Sequence, residues 1–336
     1  MKAVKILSPG QAAVVEVPIP KLRPDYVLIK TKAVALNPTD WKHVDRLATP
    51  HATVGCDYSG VIEAVGGAVP TELGLKKGDR VAGFVHGANA VELEDGVFGE
   101  WLVAKAGLVM KIPDNMSFED ASALGVGIVT ETVEKNGPIL IYGGSTATGA
   151  YAIQFAKLSG FDVTTTCSPR NFPMVKALGA SAVFDYASPT CGADIRAHTR
   201  NELYYAFDTV SEAASPQICA DALASHPAPS GKRPFYGVIL PALSPRDDVE
   251  RGHTLGYSAV GEYFTLGSTV WEARPQDLEF ATRFFKLAEG LLAEKRFKVH
   301  RPEVREGGLE GVLGGMDDLR HGRVSGKKVV YRVNES

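Results

Sequence analysis

The feature that most constrains the fold is a glycine-rich turn between an apolar run and an amphipathic segment. The run Ile139–Tyr142 precedes Gly143 and Gly144, and residues 150–158 follow with apolar side chains mainly towards one side of a helix. A short apolar run bounded by glycines is typical of a buried parallel strand, and helical spacing of apolar residues is typical of a packed helix. The order of strand, turn and helix predicts half of a dinucleotide-binding unit.

The turn has the composition that a phosphate group requires. Small residues let the backbone approach a pyrophosphate, and the first N–H groups of the helix face its negative charge. The standard Gly-x-Gly-x-x-Gly pattern is not met, because Thr146 stands where a glycine is expected. An ordinary glycine-rich turn is therefore the alternative. We predict that the turn binds the cofactor through Gly144, Ser145, Thr146, Ala147 and Thr148.

The residues after the next predicted strand indicate which cofactor is bound. Residues 162–167 form this strand, and Ser168, Pro169, Arg170 and Asn171 follow it, roughly 20 residues beyond the turn, where such folds recognise the adenosine ribose. No Asp or Glu is present there to hold the ribose hydroxyls of NAD. A hydroxyl from Ser168 and a guanidinium from Arg170 suit a 2′-phosphate. We predict NADPH, with a loop-solvating role as the alternative for Arg170.

Composition places the chain among ordinary globular proteins. Its 336 residues are 45% hydrophobic and 22% charged, which allows two domains. The net charge of -3 argues against a non-specific binder of nucleic acid or anionic membranes. The four cysteines form no C-x-x-C pair, and no apolar run approaches the length of a membrane span. The N-terminus leads into a predicted strand rather than a signal peptide, so we expect a cytoplasmic protein.

The pattern of elements predicts an α/β protein of two domains. Short apolar segments separated by Pro, Gly and Asp fill the first hundred residues and predict a partly open β-barrel. From Ile139 onward strands alternate with helices, which predicts a doubly wound parallel sheet, the further strands being 182–185, 204–209, 235–240 and 258–264. We assign residues 1–127 and 268–336 to the barrel domain and residues 128–267 to the Rossmann domain.

Several motifs occur in the order found in the medium-chain dehydrogenase/reductase superfamily. They are Asn37–Asp40, Gly55–Val61, Lys77–Val81 and the glycine turn. More narrowly, three segments resemble the fungal trans-acting enoyl reductases that serve highly reducing polyketide synthases, namely 142–148, 166–172 and 183–186. The resemblance covers nearly the whole chain. It implies a GroES-like barrel domain beside a Rossmann domain and a monomeric enzyme.

The resemblance also implies the reaction. The expected activity is NADPH-dependent reduction of the α,β-double bond of an enoyl thioester, in fungal secondary metabolism. The substrate would be carried by the acyl carrier protein domain of a polyketide synthase or of a polyketide synthase-peptide synthetase hybrid. Hydride would reach the β-carbon, and the enolate would then be protonated at the α-carbon. The alternatives are a free-standing zinc-independent quinone or enone reductase and a non-catalytic nucleotide-binding partner protein. Neither nucleic acid nor membrane is an expected partner.

The same resemblance indicates whether a zinc ion is expected. Zinc-dependent relatives place Cys, His and Glu in the segments around Asn37 and Gly55. Here Asn37 and Pro38 replace a Cys-His pair, and Cys56 and Asp57 replace His-Glu. A tetrahedral nitrogen and sulfur site is not assembled from that set, so we expect no metal. A remnant ligand pair at Cys56 and Asp57 is the alternative to a buried structural cysteine.

Position in the resembling family suggests the remaining cofactor contacts. Thr39, Asp40, Trp41 and Lys42 match a segment near the reactive end of the cofactor. Lys42 is the candidate catalytic residue, in an electrophilic or proton-relay role, and a solvated lysine at a helix start is its alternative. No side chain stands out as the general acid, and solvent could supply the proton. Further implied contacts are Tyr186, Leu240, Pro241, Val324 and Ser325.

The resemblance implies two segments on the substrate side. They comprise Gly125, Val126, Gly127, Ile128, Val129, Gly261, Glu262, Tyr263 and Phe264. Packing of an edge strand is the competing explanation for Tyr263 and Phe264. The family usually has a longer helix and loop before Pro138 than the seven residues 131–137 found here, which weakens the assignments around 125–130.

Overall fold

The computed structural model of the protein describes residues 1–129 and 137–333. The chain forms two compact units, a first unit of Met1–Val129 with Tyr257–Ser336 and a second unit of Thr130–Gly256. The sequence analysis placed the boundaries after residues 127 and 267, so residues 257–267 are reassigned to the first unit. The reason is their packing, since Tyr257 is hydrogen-bonded to Thr39 and Gly261 lies against Leu278. The short segment noted above is 131–137, and its residues 131–136, together with residue 130, lie outside the described residues.

The strands and helices have the following bounds. The strands are β1 (Lys2–Ser8), β2 (Gln11–Glu16), β3 (Tyr26–Ala35), β4 (Asp57–Val65), β5 (Arg80–Phe84), β6 (Trp101–Lys105), β7 (Val109–Lys111), β8 (Pro138–Tyr142), β9 (Asp162–Thr166), β10 (Ala182–Phe184), β11 (Tyr205–Asp208), β12 (Phe235–Val238), β13 (Glu250–His253), β14 (Phe264–Leu266), β15 (Thr269–Trp271), β16 (Pro302–Arg305) and β17 (Lys328–Arg332). The α-helices are α1 (Pro38–Arg46), α2 (Phe118–Ser122), α3 (Gly125–Val129), α4 (Ala147–Leu158), α5 (Phe172–Ala177), α6 (Cys191–His198), α7 (Ser215–Ala222), α8 (Pro275–Ala293) and α9 (Gly308–Arg320).

The first unit is built on a sheet in which β3 is the central strand. The strand order is β16-β17-β3-β4-β5-β7, and β6 also pairs with β3. One edge of β3 is bonded to β4, while the other edge is bonded to β6 at residues 26–30 and to β17 at residues 33–35. Apolar side chains from these strands, with Val312 and Met316 of α9, form its core. The sheet thereby brings the start of β17 close to the start of β4.

The second unit is a parallel sheet with the order β10-β9-β8-β11-β12-β13. Consecutive strands run outward from β8 to β10, and the chain then returns to continue from β11 on the other side. The strand order therefore reverses between β8 and β11, which is where such sheets bind ligands at their carboxyl ends. Apolar clusters cover both faces, one around Ile153 of α4 and one around Ile195 of α6. The predicted doubly wound α/β fold is confirmed.

One strand prediction was wrong at the end of this sheet, and one strand was missed. Residues 258–264 do not form a strand, because Gly256–Val260 is a 3-10 helix and Gly261 has a φ of +78°. The sixth strand is instead β13, whose residues are polar and mostly exposed and so lack the apolar signal of a buried strand. No helix within residues 1–129 and 137–333 is long and apolar enough to cross a membrane.

Candidate functional site

The glycine turn lies at the carboxyl end of β8, where the strand order reverses. Gly143 has a φ of +81°, a conformation that side chains other than glycine's rarely adopt. A Cβ atom on Gly144 would overlap with the hydroxyl of Thr165, and one on Gly149 would overlap with the carbonyl oxygen of Gly143. These glycines let α4 begin directly against β8 and β9. The turn therefore has the close packing of helix against strand that is typical of dinucleotide-binding folds.

Thr146 shapes this turn through its hydroxyl group. Its Oγ1 accepts the N–H of Gly149 at 2.9 Å and lies 3.0 Å from Oγ1 of Thr209. Thr209 donates to the carbonyl oxygen of Tyr142 at 2.8 Å, so the proton between the two threonines comes from Thr146. This threonine pair links the ends of β8 and β11. The sequence analysis missed Thr209, although its place at the end of a predicted strand was a usable signal.

The residues predicted around the adenosine ribose lie near one another. Ser168 follows β9 and Tyr186 follows β10, and their hydroxyl oxygens are 3.1 Å apart. Pro169–Asn171 form a 3-10 turn on which Arg170 is exposed. A guanidinium on such a turn beside two hydroxyls is an arrangement that can bind a phosphate.

Leu240 and Pro241 follow β12 at the same edge of the parallel sheet. Leu240 is half-buried and Pro241 is exposed. The turn before them is fixed by Ser211, whose hydroxyl accepts the N–H of Ile239 at 3.1 Å. Ser211 is in turn held by Asp208, a buried carboxylate that accepts its N–H at 2.8 Å. The structure thus places the predicted contacts of the second unit along one edge.

The first unit contains a buried polar cluster that the sequence analysis did not find. The hydroxyl groups of Tyr257 and Thr39 are 2.6 Å apart, and the ring of His86 stacks on that of Tyr257 with centroids 4.0 Å apart. Phe264 contacts His86 edge-on at 4.9 Å. His43 lies one turn along α1 from Thr39, with Nδ1 2.9 Å from its carbonyl oxygen. Thr39 was predicted, whereas Tyr257, His86 and His43 come together only in the fold.

Burial sets the charge of this cluster. It lowers the pKa of His43, and it lowers the pKa of His86 to about 3, with a further contribution from His43. Both rings are therefore neutral at pH 7. Because Nδ1 of His43 faces a carbonyl oxygen, it carries the proton and Nε2 is an acceptor. Among the described residues, Nε2 of His43 and Nε2 of His86 have no hydrogen-bond partner. Burial also raises the pKa of Tyr257 well above its usual range, so this hydroxyl keeps its proton.

The segment predicted near the reactive end forms the start of α1. The carboxyl group of Asp40 is buried and accepts the N–H of Asn37 at 2.6 Å, so it acts within the helix start. Lys42 is half-buried and its Nζ lies 5.8 Å from the ring centre of Trp41. Trp41 also packs against the core of the first unit. Thr39 joins the buried polar cluster through its hydroxyl group, which bonds to Tyr257.

The predicted substrate-side residues occupy different surroundings. Gly125 and Val126 begin α3 beside Asp57, and the side chains of Ile128 and Val129 lie outside the described part of the chain. Glu262 accepts from Tyr26 at 2.9 Å and pairs with Lys105 at 2.5 Å. Tyr263 is 43% exposed, whereas Phe264 is buried. Gly261 has no space for a side chain beside Leu278.

The last two predicted contacts precede β17. Val324 packs against the core of the first unit and Ser325 is exposed.

The residues at the expected zinc positions do not fit a metal ion. One oxygen of Asp57 is bonded to Lys328 and Asn37, and the other accepts the N–H of Val126. The thiol of Cys56 is buried and lies 3.9 Å from the hydroxyl of Tyr257. Within residues 1–129 and 137–333, no group of three or more His, Cys, Asp or Glu side chains could hold a metal.

The fold defines the general class of protein. Residues 23–114 match the alcohol dehydrogenase GroES-like domain family. A solved alcohol dehydrogenase superfamily protein from Novosphingobium aromaticivorans matches with a TM-score of 0.80 and 20% identity, over 99% of this chain and 100% of that one. The CurK enoyl reductase structure matches with a TM-score of 0.75 and 17% identity, over 99% of both chains. These likenesses show the fold, which combines a GroES-like domain with a Rossmann-type parallel sheet.

Sequence similarity then defines the family. The chain is 43% identical to trans-enoyl reductase resD of Aspergillus sclerotiorum, over 99% of this chain and 100% of the relative. It is also 43% identical to trans-enoyl reductase ACTTS2 of Alternaria alternata, over 99% of each. The chain belongs to the trans-enoyl reductases. The resemblance inferred from the sequence motifs is confirmed.

Proposed function

We propose that the protein is an NADPH-dependent trans-acting enoyl reductase that reduces the α,β-double bond of a thioester held on a polyketide synthase. The observation that supports this most is the similarity to named trans-enoyl reductases along nearly the whole chain. The predicted residues listed above are proposed as its site. The name of these relatives indicates a reductase that acts on a substrate carried by another protein.

The preference for NADPH rests on the second unit. NADPH, when bound, supplies the hydride. The overlap of any added Cβ at Gly143, Gly144 and Gly149 shows that α4 begins directly against the sheet, and this packing leaves the first N–H groups of the helix to face the pyrophosphate. Ser168, Tyr186 and Arg170 hold the 2′-phosphate, because two adjacent hydroxyls and an exposed guanidinium provide donors and positive charge.

The reacting end is assigned to the start of α1. Thr39 is half-buried, and Tyr257 fixes its hydroxyl group at 2.6 Å. A hydroxyl held in this way can donate a hydrogen bond to the enolate oxygen or pass a proton towards the α-carbon. Lys42 lies one turn further along, beside Trp41, and is the second candidate for stabilising the enolate. Neither role needs a metal ion.

The partner is proposed to be an acyl carrier protein domain of a polyketide synthase or of a polyketide synthase-peptide synthetase hybrid. The substrate then arrives on a phosphopantetheine arm. An enzyme that binds this arm can act on an acyl chain that remains attached to another protein.

Steady-state assays test this function. The purified protein is given an enoyl chain on an acyl carrier protein, the same chain on pantetheine, and a small quinone, and loss of NADPH fluorescence is followed. We expect the carrier-bound thioester to be reduced at least about tenfold faster than the quinone, equivalent to ~1.4 kcal/mol. Faster reduction of the quinone would identify a quinone reductase, and no turnover of any thioester would indicate a non-catalytic protein.

A further inference from the structure

Lys328 is a buried lysine whose ammonium group lies inside the first unit. Its side chain is 4% exposed, and its Nζ is 2.7 Å from Oδ2 of Asp57, which is fully buried. The same ammonium donates to the side-chain oxygen of Asn37, and the amide nitrogen of Asn37 donates to Asp57 at 2.9 Å. Cation, amide and carboxylate therefore form a closed triangle of hydrogen bonds.

One corner of this triangle fixes the start of α1. Asn37 immediately precedes the helix, and its backbone N–H donates to Asp40 at 2.6 Å. The helix then carries Thr39 and Lys42, the residues assigned to the reacting end. An ammonium bond to Asn37 thus restrains the position of both.

Another corner fixes the start of α3. The second oxygen of Asp57 accepts the N–H of Val126 at 2.6 Å, in the first turn of α3. Gly125 packs so closely against this carboxylate that an added Cβ would overlap with it. The helix α3 contains the segment assigned to the substrate side.

Stability alone gives little reason for this arrangement. Removing two charges from water is costly, and replacing a buried ion pair by apolar groups is often neutral or stabilising. The core of the first unit is already provided by apolar side chains of β3, β4, β17 and α9. What an apolar replacement could not provide is three directed hydrogen bonds that join α1, β4 and β17.

We propose that Lys328 is a positioning residue for the reduction: its ammonium group, through Asn37 and Asp57, holds the start of α1 and the start of α3 in one geometry. This inference rests on the proposed function for its effect on catalysis. Displacement of reacting groups by about 1 Å can cost a hundredfold in rate, so loss of the anchor slows turnover.

The test compares Lys328→Met, Lys328→Arg and the matched control Lys327→Met, which removes a neighbouring lysine that pairs with Glu303. Turnover of pantetheine-linked enoyl substrate, the KM for NADPH and amide hydrogen exchange of residues 38–46 and 121–129 are measured. For Lys328→Met we expect turnover to fall at least about tenfold, with faster exchange confined to those two segments and the KM for NADPH within about twofold. Lys328→Arg keeps the buried cation and should lose less turnover than Lys328→Met, whereas Lys327→Met should match wild type.

A second variant keeps the test decisive if Lys328→Met does not fold. The double variant Asp57→Asn/Lys328→Met removes both charges and leaves no unpaired buried ion, so it should fold. Its turnover should still fall, and the exchange of residues 38–46 and 121–129 should still become faster. Wild-type turnover and exchange in either variant, or exchange that rises equally along the whole chain, would overturn the proposal. Because exchange needs no turnover, the anchoring role is tested even if the protein proves to act on a different substrate.

Discussion

The hydroxyl oxygens of Thr39 and Tyr257 lie 2.6 Å apart although the two residues are 218 positions apart in the chain. This bond joins the start of α1 to the segment that returns to the first unit after the second unit. It gives Thr39 a fixed orientation, with the neutral rings of His43 and His86 beside it. The hydroxyl group that we propose for the reacting end thus has a defined hydrogen-bond partner.

Removing this partner should slow the reaction without unfolding the protein. For Tyr257→Phe we expect kcat to fall about tenfold, or ~1.4 kcal/mol, because Thr39 loses the bond that orients it. The KM for NADPH should change little, since the contacts to the phosphate groups of the nucleotide are assigned to the second unit. Tyr204→Phe is the control, because the hydroxyl group of this second-unit tyrosine lies 3.5 Å from Nδ1 of His226 and does not contact Thr39. An unchanged kcat in Tyr257→Phe would exclude the hydroxyl pair from the mechanism.

Arg170 should determine the preference for NADPH. Arg170→Glu places an acid where a 2′-phosphate is expected, so the KM for NADPH should rise tenfold or more while that for NADH changes little. Arg233 is the control, because it precedes the amino end of β12 and so lies at the opposite edge of the sheet. Arg233→Glu should leave the KM for NADPH and the KM for NADH unchanged. Equal effects of Arg170→Glu on both nucleotides would mean that the phosphate pocket lies elsewhere.

Gly149 should tolerate no side chain. In Gly149→Ala the new methyl group meets the carbonyl oxygen of Gly143, so α4 must move away from β8. We expect a loss of ~1–3 kcal/mol in the free energy of unfolding and at least tenfold weaker binding of NADPH in a fluorescence titration. Gly290→Ala in α8 has open space and should instead stabilise by ~0.5–1 kcal/mol. Unaltered NADPH binding in Gly149→Ala would contradict the binding of the cofactor at this turn.

Asp40 should make stability depend on pH. Burial raises the pKa of Asp40 from its ordinary value of 3.8 to about 8, so the folded protein binds a proton that the unfolded chain releases. The stabilisation that this proton binding gives to the fold is complete below about pH 4 and is lost as the pH rises to about 8. Urea unfolding should therefore show wild-type stability falling relative to Asp40→Asn across that window, by at most ~1.4 kcal/mol per pH unit. If the free energy of unfolding of the two proteins has the same dependence on pH, Asp40 is ionised in the folded protein.

Chelation should leave the activity intact. Asp57 already accepts hydrogen bonds from Lys328, Asn37 and Val126, and the ammonium group 2.7 Å from its Oδ2 would repel a metal cation. Turnover after exhaustive chelation should equal that of untreated protein. Loss of activity that added zinc restores would contradict the metal-free assignment.

Local patterns predicted the second unit well. The apolar run at Ile139–Tyr142, the glycines after it and the helix that follows all depend on neighbours in sequence, and the structure has them as β8, the turn and α4. The edge strand β13 was missed because its residues are polar and exposed. Residues 258–264 were misassigned as a strand because a short, largely apolar segment does not distinguish a strand from a 3-10 turn that ends at a glycine.

The buried polar groups could not be predicted in the same way. Tyr257 meets Thr39, and Lys328 meets Asp57 and Asn37, only because the sheet of the first unit brings distant segments together. In the sequence, a lysine at the start of the strand Lys328–Arg332 is typical of a solvated residue. Sequence therefore indicated candidate cofactor contacts more readily than the residues that hold these candidates in place.

The most direct test of the account is to follow the hydride itself. NADPH deuterated on the transferred position of C4 is incubated with the protein and an enoyl chain on an acyl carrier protein, and the released product is analysed by mass spectrometry and NMR. The account predicts one deuterium per product molecule, located at the β-carbon, with the α-hydrogen taken from solvent. A reduced product without deuterium at the β-carbon, or no reduced product at all, would contradict it.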